Sequence, residues 1–348
     1  MQGKMGEVKR KTSYFTAPRE VELREETLPV LNPDEVLVET VCSAISAGTE
    51  MLVYRGQFPH IKHTYDKYSN DLAYPLAYGY ACVGVVKELG EQVDTQWRGR
   101  LVFGFQPHTT HFISRTESLL LAPESIPAEA CSFLPNVETA VNLVQDAAPV
   151  LGERALVLGQ GVVGLLVASL LREFPLEALI TSDCYQLRRK ASLELGADDS
   201  FDPAIPDLDE QHSPPNPKFA YAQNNFDLTF ELSGSPSALN DAIALTAFSG
   251  RVVIGSWYGE KRAEVDLGGA FHRSRIQLIS SQVSTISPAL SGRWDKARRF
   301  RVAWEALNRI QPQKWITHRF PIEEAAQAYE LIDKNPQETI QVIFNYQG

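Results

Sequence analysis

The run Ala155-Leu-Val-Leu-Gly-Gln-Gly-Val-Val-Gly-Leu-Leu-Val-Ala-Ser-Leu-Leu171 constrains this chain more than any other. Ala155 to Leu158 reads as a buried parallel strand. Through Gly159-x-Gly161-x-x-Gly164 it turns into an apolar helix that ends near Glu173. A second strand, Ala178 to Ser182, is capped by Asp183, 19 positions after the last glycine. The pattern is a βαβ unit with an acid at its far end, the layout of a dinucleotide site. Gly159 permits the tight turn, Gly161 admits a pyrophosphate to the backbone, and Gly164 lets helix and strand pack closely. The helix N-terminus, with the amides of Val162 and Val163, offers unpaired N–H groups and partial positive charge to phosphates. The competing reading is a purely structural turn, since glycines gather in any tight one.

Asp183 would accept hydrogen bonds from a ribose 2′-OH and would repel a 2′-phosphate, so NAD is expected over NADP. Arg188 and Arg189 lie one turn into the next helix and partly offset that charge.

The glycine motif sits mid-chain, so the residues before it need their own fold. A length of 348 residues suits two domains, each with a core. With 33 Lys and Arg against 43 Asp and Glu, the net charge of −10 disfavours nucleic acid and anionic membranes as partners. Cys42, Cys82, Cys131 and Cys184 lack the short spacing of a zinc ribbon or redox pair and read as reduced core thiols. The first ten residues carry no apolar signal region, and the most apolar window is too short to span a bilayer, so a cytoplasmic protein is expected.

Alternating runs from Tyr14 to Ile45, including Val21 to Glu25 and Glu35 to Val41, predict strands separated by the turn Asn32-Pro-Asp. Ala81 to Leu89 and Arg100 to Phe105 predict two more, giving an antiparallel β domain over about the first 135 residues. A helix from Val137 to Asp146 bridges to the nucleotide fold. Beyond Asp183 the pattern predicts a helix at 187–195, a mobile loop at 202–225, a strand at 226–234, and a helix at 236–248. Strands at 250–256 and 276–282 follow. A basic helix at 293–309, a strand at 316–320, a helix at 322–333 and a strand at 339–344 close the chain.

Several local runs are jointly similar to those of the medium-chain dehydrogenase/reductase family over nearly the whole chain. They are Asp34-Glu-Val-Leu-Val, Ser46-Ala-Gly-Thr-Glu50, Gly79-Tyr-Ala-Cys-Val-Gly-Val-Val86, Gly161-Val-Val-Gly164, Leu195-Gly-Ala-Asp and Gly250-Arg-Val-Val-Ile-Gly255. The resemblance implies a GroES-like antiparallel β domain (1–135 and 285–348) joined to a Rossmann-type doubly wound parallel sheet (136–284). It also implies hydride transfer between nicotinamide and a small-molecule substrate in the interdomain cleft, and homodimers or homotetramers.

The departures from the family are informative. Where zinc-dependent members place a cysteine, this chain has Ala47. Their Gly-His-Glu is replaced by Gly79-Tyr80-Ala81, and a third ligand would fall among Leu134 to Asn136, none of which binds zinc well. The four-cysteine lobe is also missing. No metal is expected, because zinc needs three or four Cys, His or carboxylate donors. A new site from His108-x-x-His111 with His60 or His63 is the alternative reading.

Without zinc, another group must steady charge on the substrate oxygen and move a proton. By resemblance Thr49 takes the place of the hydroxyl relay, its other reading being a helix cap. Tyr80 stands where a metal-ligating histidine would point into the cleft, and it either donates to a carbonyl or merely fills the vacated pocket. His108 could shuttle a proton. Gln106, Glu50, Tyr54 and His63 are candidate substrate contacts. Glu50 is also expected to pair with a basic neighbour such as Arg55. By resemblance Thr139 is a candidate nicotinamide contact, Ser233 is a candidate cofactor contact, and His318 reads as structural. The stretch His60 to Tyr68, longer than the family usually carries, reads either as a lid suited to a planar or acidic substrate or as a solvated loop.

Two enzymatic readings remain, a zinc-independent alcohol/ketone dehydrogenase and a quinone or enoyl double-bond reductase. The motif around Ala47 and Tyr80 also resembles that of bacteriochlorophyllide dehydrogenases, which act on a large planar ring. A cofactor-binding sensor or scaffold is the non-enzymatic alternative.

Overall fold

The computed structural model describes residues 8–58, 73–203 and 226–346. The predicted loop at 202–225 and the predicted lid fall largely or wholly outside them. The chain divides into two units, Met1–Pro135 with Gln311–Gly348, and Asn136–Ile310.

In the first unit a seven-stranded sheet runs in the order Ile316–Pro321, Gln341–Asn345, Glu35–Ala44, Cys82–Leu89, Leu101–Gly104 and Leu119–Leu121, with His111–Arg115 also paired to Glu35–Ala44. All its pairs are antiparallel except Ile316–Pro321 with Gln341–Asn345. A three-stranded sheet of Glu20–Thr27, Lys9–Ala17 and Leu76–Ala77 accompanies it. Period-two alternation puts Val36, Val38, Cys82, Val86 and Val102 into one core. A second core joins Phe15, Met51 and Tyr54 to Tyr329, Ile332 and Phe344 from the far end of the chain. Truncating a buried aromatic such as Phe344 to alanine would cost about 3–5 kcal/mol.

The second unit holds a six-stranded sheet in the order Asp199–Phe201, Ala178–Ser182, Arg154–Leu158, Phe226–Glu231, Thr246–Ile254 and Gln277–Ser280, every pair parallel. Counted along the chain this is the order 3-2-1-4-5-6, which reverses between Arg154–Leu158 and Phe226–Glu231. Ligands of such sheets bind outside the carboxyl ends of the strands at that reversal.

Three local expectations need correction. The helix foreseen at 236–248 spans only Ala238–Leu245, because Thr246 already pairs with Phe226 and opens a strand. The basic helix begins at Lys296, one residue after Asp295, whose Oδ1 accepts the Arg298 N–H at 2.6 Å in capping fashion. Residues 285–310, assigned to the first domain from sequence, cluster with the second unit. Arg299 explains this. Its guanidinium is wholly buried and donates to Glu138 Oε1 at 3.0 Å, to Asn142, and to the carbonyls of Val283 and Thr285, all in that unit.

Candidate functional site

In the second unit the glycine turn has the geometry its spacing predicts. Gly159 has φ +91°, and a Cβ there would lie 2.5 Å from the Leu232 carbonyl oxygen. A Cβ at Gly164 would lie 1.9 Å from the Gly159 oxygen, so helix and turn touch. At Gly161 the nearest atom to a Cβ would be Arg188 Nη1, 4.0 Å away, which leaves that face open. The helix Val162–Leu171 follows with no side chain capping its start. The amides of Val162, Val163 and Gly164 therefore present a bare helix N-terminus, which favours an anion. These residues fit a dinucleotide pyrophosphate.

Asp183 closes the second strand and is buried. Its Oδ2 accepts the Gln160 N–H at 2.7 Å and its Oδ1 the Tyr185 N–H at 2.8 Å, so the carboxylate braces the turn. Arg188 Nη1 lies 3.9 Å from Oδ2, with its guanidinium over the Tyr185 ring at 4.9 Å. Arg189 is directed elsewhere, to the Asp183 carbonyl and to Asp202 Oδ2 at 2.9 Å. Ser233 follows the strand Phe226–Glu231 and is bonded to Glu231, while Thr139 is half-buried on the helix Leu134–Ala147.

In the first unit Ser46, Thr49 and Tyr80 come together. Burial, and then the Glu50 charge, push the Tyr80 phenol up to about 12, while hydrogen bonds from Ser46 and Thr49 act against them. The phenol thus stays protonated at neutral pH, able to donate. Glu50 lies wholly buried behind them. Its Oε1 accepts the Ser46 N–H at 2.9 Å, and its Oε2 accepts the Tyr329 hydroxyl at 2.8 Å and pairs with His108 Nε2 at 2.9 Å. From His108 Nδ1 the chain continues to Ser43 Oγ at 2.7 Å and on to the Tyr346 hydroxyl at 2.7 Å.

Other candidates are placed differently. His108 is wholly buried, with its ring against Gly79, so it supports the Tyr80 turn from beneath. Arg55 does not pair with Glu50. It donates to Asp333 Oδ1 at 2.6 Å, because both Glu50 oxygens are directed into the core. Tyr54 is a core residue, stacked on Tyr329 with ring centroids 5.4 Å apart, and not a surface available to substrate. Gln106 is half-buried, its carbonyl accepting the Cys82 thiol. His60 and His63 lie outside the described residues. Sequence reasoning did not single out Ser46 within its motif, and nothing local marked Tyr329 or Tyr346, which arrive from the other end of the chain.

The donors around Tyr80 do not fit zinc. Ala47 offers a methyl group, and Tyr80 offers a phenol in place of the thiolate, imidazole or carboxylate donors that zinc takes. Among the described residues no group of three or more His, Cys, Asp or Glu is arranged to hold a metal ion. His108 and His111 diverge, the first toward Glu50 and the second toward Thr110 Oγ1 at 3.1 Å. Three of the cysteines are buried, as expected, but Cys184 is exposed, because it sits on the loop after Ala178–Ser182. Among the described residues no helix is long and apolar enough to cross a membrane.

No protein-family model matches the chain. It is 21% identical to an L-threonine 3-dehydrogenase of Xanthomonas euvesicatoria pv. vesicatoria, covering 90% of this chain and 93% of that one. It is 20% identical to the starvation-sensing protein RspB of Escherichia coli, covering 97% and 99%. Among solved structures, the rspB alcohol dehydrogenase from E. coli CFT073, complexed with NADH, superposes with a TM-score of 0.77 at 18% identity over 97% of this chain and 99% of that one. A zinc-binding dehydrogenase assigned in Sinorhizobium meliloti 1021, bound to NADP, does so with 0.75 at 17% over 97% and 99%. An antiparallel β unit and a parallel nucleotide-type sheet, matched end to end in these structures, give this chain the fold of the medium-chain alcohol dehydrogenases.

Proposed function

We propose that this protein is an NAD(P)-dependent oxidoreductase of the medium-chain dehydrogenase/reductase family, interconverting an alcohol and a ketone without zinc. The observation that carries the reading is the Tyr80 phenol, hydrogen-bonded by Ser46 and Thr49 at the place where zinc-dependent relatives would need a metal ligand. The glycine turn with Asp183 supports NAD as the cofactor, ahead of NADP. The nicotinamide, when bound, supplies or accepts the hydride.

The chain's own residues handle the oxygen. In the reducing direction, hydride addition to a carbonyl carbon pushes an electron pair onto oxygen. The Tyr80 hydroxyl gives that oxygen its proton, and the Thr49 or Ser46 hydroxyl passes one back to Tyr80 from water. Alcohol oxidation runs the same transfers in reverse. One well-placed donor of this kind is worth about 10²–10³ in rate.

A small-molecule substrate, a cytoplasmic location and a homodimer or homotetramer complete the proposal. The test is spectrophotometric. The purified protein is offered NADH or NADPH with a panel of ketones, and NAD or NADP with L-threonine and a panel of secondary alcohols. Nicotinamide-dependent turnover lost in Tyr80→Phe supports the reading. Turnover only with quinones or enones favours a double-bond reductase, and turnover that needs added zinc overturns the metal-free part.

A further inference from the structure

Glu231 closes the strand Phe226–Glu231 on the far side of the strand-order reversal from the glycine turn, and it is wholly buried. Its carboxylate accepts three donors: the Ser233 N–H at 2.9 Å, the Ser233 hydroxyl at 2.5 Å and the Tyr258 hydroxyl at 2.5 Å. Its backbone carbonyl accepts the N–H groups of Gly255 at 3.1 Å and Ser256 at 3.2 Å. Two further bonds tie the same turns, Gly234 N–H to Ser256 Oγ at 2.9 Å and Lys261 Nζ to the Gly234 carbonyl at 2.9 Å. Burial, followed by the hydrogen bond to Glu231, pushes the Tyr258 phenol up, so it remains a donor.

An acid in this place is costly unless its partners are fixed, because a buried carboxylate needs every acceptor site satisfied. Here the partners are the turns after two neighbouring strands. Leu232 N–H also donates to the Leu158 carbonyl at 2.8 Å, which sets the first of those turns against the glycine turn. A dinucleotide laid across a sheet of this order puts its pyrophosphate at the glycine turn and one half over each side of the reversal. With Asp183 on the adenosine side, the turns that Glu231 fastens belong to the nicotinamide side.

We propose that Glu231 is a positioning residue for the nicotinamide half of the cofactor, locking the turns 232–235 and 255–261 through Ser233 and Tyr258. This deepens the reading of the nucleotide site given above and rests on it. Losing the lock leaves the adenosine side intact and loosens only the other side, so the two halves of the cofactor report separately. A group that merely held the unit together would affect both.

The experiment measures binding of NADH, by its fluorescence, and of ADP-ribose, by calorimetry, to the full chain and to Glu231→Gln and Tyr258→Phe. Tyr258→Phe keeps the ring and removes one donor, so it serves if Glu231→Gln does not fold. The expected result is an NADH dissociation constant raised about tenfold with ADP-ribose binding held within about twofold, the scale of one lost hydrogen bond to a charged group. Parallel weakening of both ligands, or no change in NADH binding, overturns the inference. If the unaltered chain binds neither ligand, the nucleotide reading itself fails and the inference with it.

Discussion

Oε2 of Glu50 lies 2.9 Å from Nε2 of His108, and both side chains are wholly shielded from water. The pair joins two segments that meet at Tyr80. Glu50 holds the Ser46 amide, while His108 donates its own backbone N–H to the Tyr78 carbonyl at 3.2 Å and packs its ring on Gly79. Removing the imidazole takes one of the three groups that meet the Glu50 carboxylate and leaves the Ser46 amide and the Tyr329 hydroxyl in place. His108→Ala is expected to destabilise the protein by about 1–3 kcal/mol in urea denaturation, and a loss under about 0.5 kcal/mol would contradict the burial described.

Tyr80→Phe should lower kcat for ketone reduction about 10²–10³-fold, with KM and stability nearly unchanged, because the ring stays and only the donor goes. The phenol's rise from its usual 10 to about 12 also fixes a sign. The folded state holds this proton more tightly than the unfolded chain, so the contribution to stability is complete below pH 10. It fades as pH climbs toward 12. The parent and Tyr80→Phe start nearly equal at about pH 8, so melts taken up to about pH 11 should separate with rising pH, the parent falling below the variant.

Gly164→Ala and Gly161→Ala should behave differently. The first forces a methyl group to within 1.9 Å of the Gly159 carbonyl oxygen and should fail to fold or melt far lower. The second meets open space and should melt normally while losing NADH affinity, since the methyl group occupies the face a pyrophosphate would approach. Thermal melts with NADH titration check both.

Replacing Asp183 by alanine should narrow any preference for NADH over NADPH, by removing the carboxylate that repels a 2′-phosphate. It should also cost about 1–3 kcal/mol, because the Gln160 and Tyr185 amides lose their acceptor. Steady-state kinetics with both cofactors and a denaturation curve separate the two effects.

In the native protein Cys184 should be the one thiol that reacts with a disulfide reagent, and Cys184→Ser should abolish that reaction. The reaction should be slow at neutral pH, because partial burial and the Asp183 and Asp202 carboxylates push this thiol up as well. Burial pushes the thiols of Cys82 and Cys131 up to about 12, and Cys42 higher, so these three carry almost no thiolate at neutral pH.

Five strands of the parallel sheet were legible because apolar residues cluster in them and end at recognisable turns, and because the glycine spacing fixes where the first one stops. The edge strand Asp199–Phe201, three residues with two of them polar, was not legible. The helix at 296–310 was readable as a helix, but its allegiance was not. That depends on the single buried arginine Arg299, which on sequence alone is one more charge on a basic face. In the β unit the motif located Thr49, Glu50 and Tyr80. It could not foresee that His108 is buried beneath them, since nothing in the run around His108 announces Ser43 or Glu50 as its partners. Glu231 escaped notice because an acid at a strand end reads as solvated, and its burial depends on Tyr258, a residue in the next turn.

The bond between Glu50 and Tyr329 spans 279 positions. During synthesis Glu50 and His108 leave the ribosome long before the hydroxyl that completes their cluster, whereas residues 136–310, including Arg299 and Glu138, can settle as soon as they emerge. The parallel-sheet unit is therefore able to finish first, and the β unit stays open as a waiting half-core until Tyr329 and Phe344 arrive to shut it.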